Sequence, residues 1–168
     1  MRLAVARLVD DRVGPMVTRV FLVRHGEAAQ VVPDADRPLT AQGRADVARL
    51  AAWCEAHGVA PHEILESGVL RATQTAEILA ARLVPAGGSR RARGLAPHDD
   101  AGEWAQDLRH RTLPVMLVTH MPLVAELADL LDGRRSSGGF ATSAIACFEG
   151  DGTALRQTAA WRPGDPVS

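Results

Sequence analysis

The chain predicts an α/β fold: a three-layer αβα sandwich around a mostly parallel sheet, closed by an antiparallel C-terminal strand. Two observations point there. Short apolar runs of strand length alternate with longer segments of helical period, the order that buries a parallel sheet between helices. Near the end, two strand-type runs are joined by a glycine-containing turn, as in a hairpin.

Val20 to Val23 is the first apolar run. From Thr40, "TAQGRADVARLAAWCEAHG" carries Val47, Leu50, Ala51 and Cys54 on one face, with a hydroxyl cap at its start and Gly58 at its end, and so predicts an amphipathic helix. "EILES" (63–67) reads as a second strand. "RATQTAEILAARL" from Arg71 aligns Ala72, Ala76, Leu79 and Leu83 as a second helix. Residues 85–114 are polar and rich in Gly and Arg, with a short helix suggested only around Glu103 to Leu108. "VMLVT" (115–119) is a strand, and "HMPLVAELADLLDG" a helix with Pro122 in its first turn and Gly133 past its end. "TSAIACFE" (142–149) and "ALRQTAAW" (154–161) form the hairpin around "GDG".

At 168 residues this is one domain, expected over 19–162, between an N-terminal extension (1–18) and a tail (163–168). The charge interruptions at Asp10, Asp11 and Arg12 break any signal peptide, and Met16 makes residues 1–15 dispensable in this reading. A hydrophobic content of 46% with 23% charged residues fits a soluble globular protein, and no apolar run is long enough to span a membrane. A net charge of -1 argues against nucleic acid or an anionic membrane as partner. Cys54 and Cys147 lack metal-ligand spacing and are expected as reduced, buried thiols of a cytoplasmic protein.

The chemistry gathers at strand ends. Arg24, His25 and Gly26 follow the first strand, His120 follows "VMLVT", and Arg71 opens the second helix. In open α/β sheets, ligands bind beyond the carboxyl ends of the strands, so these residues share one rim. A cation near a helix N-terminus opposes the helix dipole, which makes sense if an anion binds there. Arginine forks match phosphate oxygens. One neutral imidazole can attack phosphorus while the cations stabilise the oxygens, and no metal or other cofactor is needed. Gly26 is expected to let the backbone approach the ligand.

The ordered stretches "VFLVRHGEA", "RPLTAQG", "SGVLRATQTAE", "LAPHDD", "VTHMPLVAELADLL" and "TSAIACFE" resemble the histidine phosphatase superfamily, the phosphoglycerate mutase-like fold, and within it the small bacterial phosphohistidine phosphatases. The resemblance implies His25 as the phosphorylated nucleophile, Arg24 and Arg71 as phosphoryl ligands, His120 as completing the pocket and Arg37 as a further arginine of the site. Larger members place an acid after the third strand. Asp99, Asp100 and Glu103 are the nearest carboxylates here, with Asp100 the candidate proton donor. The implied substrate is phosphohistidine on a signalling or phosphocarrier protein, the alternatives being a small phosphate ester or an inactive phospho-binding module. Only some thirty residues separate the second helix from "VMLVT", so no large helical lid and a shallow pocket are expected.

The remaining features read as structural. His57, His62 and His110 are surface or capping residues, while His98 lies in the loop beside the site. Arg90, Arg91 and Arg93 read as a solvated loop, and Arg134 and Arg135 meet the negative pole of the last helix. Thr142, Ser143 and Ala144 open a strand by propensity. Glu27 has no assigned role.

Overall fold

The apolar runs become strands of a single six-stranded sheet. The computed structural model describes residues 16–135 and 139–168, so the expectation that residues 1–15 are dispensable lies outside the described residues. In chain order the elements are β1 (Thr18–Arg24), a 3-10 turn (Asp34–Asp36), α1 (Ala41–Ala56), β2 (Glu63–Glu66), α2 (Leu70–Leu83), β3 (Ser89–Arg91), α3 (Ala101–Arg109), β4 (Val115–Thr119), α4 (Leu123–Asp132), β5 (Ile145–Gly150) and β6 (Leu155–Trp161). The strand order is β3-β2-β4-β1-β5-β6. The first four are mutually parallel, and β5 runs antiparallel to both β1 and β6.

Alternation along β1 separates the layers. Phe21 and Val23 pack with Val47, Leu50 and Cys54 of α1 and Ala72, Ala76 and Leu79 of α2. Val20 and Leu22 face the opposite way, onto Ala105 and Leu108 of α3 and Val124 and Leu127 of α4. Every residue of β4 is buried, as a central parallel strand covered on both faces requires. The expected sandwich is therefore present. Thr40 caps α1 by accepting the Gly43 amide, and Gly133 closes α4 in the left-handed conformation. Pro122 stands one position earlier than expected, as the N-cap of α4.

Three further local expectations are corrected. Arg90 and Arg91 lie on β3, a three-residue exposed edge strand, and Arg90 pairs with Glu63 at 3.0 Å. Charged side chains suit such an edge because they discourage further strand pairing. The helix expected near Glu103 is longer, spanning Ala101–Arg109. Residues 142–144 form a turn, with Ser143 at φ 61, and the strand starts only at Ile145. The C-terminal residues fold back, with Trp161 Nε1 donating to the Pro166 carbonyl at 3.1 Å. Burial pushes the thiol pKa of both free cysteines up, that of Cys147 to about 12. Among the described residues, no helix is long and apolar enough to cross a membrane.

Candidate active site

Parallel strands β2, β4 and β1 end side by side, and each delivers a polar group to the same rim. Arg24 closes β1 opposite Thr119, which closes β4. His25 and His120 follow, and their ring centroids lie 4.9 Å apart. Ser67 follows β2, and Arg71 sits in the first turn of α2. A cavity of about 320 Å³ opens over this rim, with Arg24, His25, Glu27, Arg37, Arg71 and His120 among its lining.

His25 is held in one tautomer. Its Nδ1 lies 2.7 Å from the Gly26 carbonyl, which can only accept, so Nδ1 carries the hydrogen and Nε2 presents its lone pair. Arg71 Nε donates to that Nε2 at 3.3 Å. Burial, reinforced by the positive charges of Arg71, Arg24 and Arg37 and opposed by the Gly26 hydrogen bond, pulls the His25 pKa down to about 4. Burial and then the neighbouring His25 and Arg71 take His120 down to about 3. Both rings are therefore neutral near pH 7.

Ser67 fixes His120, its Oγ 2.6 Å from Nε2. The same hydroxyl accepts the Val69 amide at 3.3 Å; where it donates its own proton to Nε2, the His120 hydrogen is on Nδ1. That buried Nδ1 has no hydrogen-bond partner, and neither does buried Arg24 Nε. Unsatisfied buried polar nitrogens are rare, and here two belong to residues lining one cavity beside the cationic donor Arg71. The arrangement suits a tetrahedral oxyanion. Arg24 is anchored through Nη1 to the Phe140 carbonyl at 2.6 Å. Burial and the Arg71 charge lower its pKa from the ordinary guanidinium value.

Arg24, His25, Arg71 and His120 are thus brought together, and Arg37 lines the same cavity, tied by Nε to the Ala29 carbonyl at 2.8 Å. Gly26 does something other than expected. It is absent from the cavity lining, and a β-carbon on it would come within 2.9 Å of Val47 and 3.1 Å of the Gly43 carbonyl, so glycine is needed for packing against α1. Asp100 is also placed elsewhere: it caps α3, accepting the Gly102 amide at 2.7 Å, and does not line the cavity. Asp99 is tied to the Ala96 amide at 2.7 Å. The loop contributes Pro97 to the cavity wall, rather than His98. His57 stacks on Trp53, with centroids 4.4 Å apart. Glu27 does line the cavity, its Oε1 accepting the Thr40 hydroxyl at 2.7 Å.

Three contributors were not anticipated: Ser67, Thr75 and Asp34. Thr75 Oγ1 accepts the Gly26 amide at 3.0 Å and donates to the Arg71 carbonyl at 2.7 Å, joining the β1 turn to α2. Asp34 bridges Arg71 and Arg37, with contacts of 3.1 and 3.0 Å. The i,i+3 spacing of Asp34 and Arg37 was a visible sequence signal; the reach to Arg71 was not.

Comparison with known proteins places this geometry in a lineage. The family described as histidine phosphatase superfamily (branch 1) matches residues 20–88. The chain is 33% identical over 133 residues to phosphohistidine phosphatase SixA of Escherichia coli (strain K12), across 76% of this chain and 83% of that one. A solved structure of the protein histidine phosphatase SixA complexed with tungstate superposes with a TM-score of 0.80 at 30% identity, covering 86% of this chain and 97% of the other. Bacillus stearothermophilus YhfR shares the fold, with a TM-score of 0.67 at 22% identity over 89% of this chain and 99% of its own. With this sequence identity, this fold and paired histidines among arginines at the strand ends, the chain belongs to the histidine phosphatase superfamily.

Proposed function

We propose that the protein is a metal-independent phosphatase that removes phosphoryl groups from phosphohistidine on a protein, through a phosphoenzyme at His25. The observation that carries this reading is the His25 tautomer: the Gly26 carbonyl holds the Nδ1 hydrogen, and Nε2 keeps the lone pair, which accepts from Arg71 Nε until a phosphoryl group takes that donor. In the first step, Nε2 attacks phosphorus as the bond to the substrate nitrogen breaks, and the departing imidazole takes up a proton from water. In the second, water attacks phosphorus, the Nε2–P bond breaks, and phosphate leaves with the remaining proton going to solvent. Arg24, Arg37 and Arg71, with the Nδ1 hydrogen of His120, stabilise charge on the equatorial oxygens in both steps.

An imidazole leaving group reduces the demand for a dedicated acid, which fits a site where Asp100 caps a helix instead of facing the cavity. The segment between α2 and β4 is consumed by β3 and α3, and α3 packs into the sheet beside α4. No helical layer is formed from it over the rim, and a rim without such a layer among the described residues admits a histidine carried on a folded partner. The SixA structure holding tungstate, a tetrahedral oxyanion, supports the same chemistry.

The test compares turnover on a phosphohistidine protein, sugar phosphates and nucleotides. The expected result is clear preference for the phosphohistidine protein. Equal rates on all three would reduce the assignment to a general phosphatase, and preference for a sugar phosphate or nucleotide would replace it with a small-molecule phosphomonoesterase.

A further inference from the structure

Two of the arginines around the cavity already hold a carboxylate. The Arg71 guanidinium has two hydrogen-bonding edges. Its end edge faces Asp34, with Nη1 donating to the Asp34 carbonyl at 2.9 Å and Nη2 to Oδ2 at 3.1 Å. Its side edge points Nε at His25 Nε2, 3.3 Å away, and the second Nη2 hydrogen lies on that same edge. Asp34 Oδ1 also accepts from Arg37 Nη1 at 3.0 Å.

We propose that Asp34 is a positioning residue: by occupying the end edge of Arg71 it turns the side edge toward His25, and its charge keeps the three-arginine site from retaining phosphate. This rests on the phosphoryl-transfer reading above. An incoming phosphoryl group meets the side edge, so it adds to the Asp34 pair instead of displacing it. Asp34 also answers the misplaced cation at the start of α2, since its carboxylate offsets the Arg71 charge against the helix dipole in the free protein. Exposure separates this role from a packing role. The Asp34 side chain is 68% exposed and that of Arg71 6%, so truncating Asp34 opens no core cavity.

The test uses the full chain with Asp34→Asn and Asp34→Ala, measuring steady-state turnover of a phosphohistidine protein and calorimetric binding of inorganic phosphate and tungstate. Both variants are expected to fold, with a lower melting temperature than the parent because Arg71 loses its carboxylate partner. Turnover number is expected to fall about 10- to 100-fold, because the fork is no longer aimed. Oxyanion binding is expected to tighten by about 2- to 5-fold, because a negative charge has left the arginine cluster. A loss of folding alone would weaken both properties together. Turnover within twofold of the parent, or oxyanion binding that weakens alongside turnover, overturns the role of Asp34. If the parent protein itself binds neither phosphate nor tungstate, the phosphoryl-site reading fails first and this inference falls with it.

Discussion

His25 is a histidine whose surroundings decide its chemistry. Burial and three nearby guanidinium groups hold its pKa at about 4, against about 6.5 for a free imidazole. We therefore expect its ring resonances in the free protein to titrate near pH 4 by NMR; a midpoint at or above 6.5 would contradict the electrostatic account. Tungstate should move that midpoint upward, because an anion beside the ring favours its charged form. The sign for stability follows. Because the folded pKa lies below the unfolded one, the unfolded chain binds more protons between about pH 6.5 and 4, so this contribution is fully present above pH 6.5 and is lost as pH falls through that window. His120, held at about 3, acts in the same direction. Urea midpoints measured from pH 7 down to pH 4 should fall, and should fall less in His120→Gln.

Between elements, single hydroxyls fix the angles of the site. Thr75 is fully buried, and its Oγ1 is the acceptor for the Gly26 amide. Thr75→Val keeps the shape and leaves that amide without its partner, at a cost of about 1–3 kcal/mol in unfolding free energy. Thr75→Ser should recover most of this in denaturant melts, and equal stability of both variants with the parent would show that the bond contributes nothing. This is also where reading the sequence reached its limit. Arg24, His25 and His120 were legible because each directly follows an apolar strand, and Arg71 because it opens a periodic helix. Thr75 and Ser67 were not, since their partners lie 49 and 53 residues away in the chain and no periodicity marks them. β3 escaped because it is only three residues long and exposed. The turn at Ser143 escaped because Thr142 carries strand propensity, whereas the left-handed backbone that follows it is a tertiary demand. Asp100 was a reasonable acid by chain position, yet a short carboxylate just before a helix is taken first by the free amides of that helix.

Taken as a whole, the described residues form a three-layer support with the proposed site at one rim of its sheet. Leu22 and Leu117 pair across β1 and β4 on the α3/α4 side, both fully buried, directly beneath the residues that carry the site. Leu22→Ala should cost roughly 2–5 kcal/mol and lower the melting temperature, while the variant that remains folded below its transition still binds tungstate. Loss of binding in that folded fraction would mean that the rim has no independent integrity. The central claim is the covalent step at His25. Rapid quenching of the protein during turnover of a 32P-labelled phosphohistidine substrate tests it most directly. The account predicts acid-labile label on His25 in the parent and none in folded His25→Ala, which should also lose turnover. A parent that turns over substrate without ever carrying label, or label that persists in His25→Ala, would contradict it.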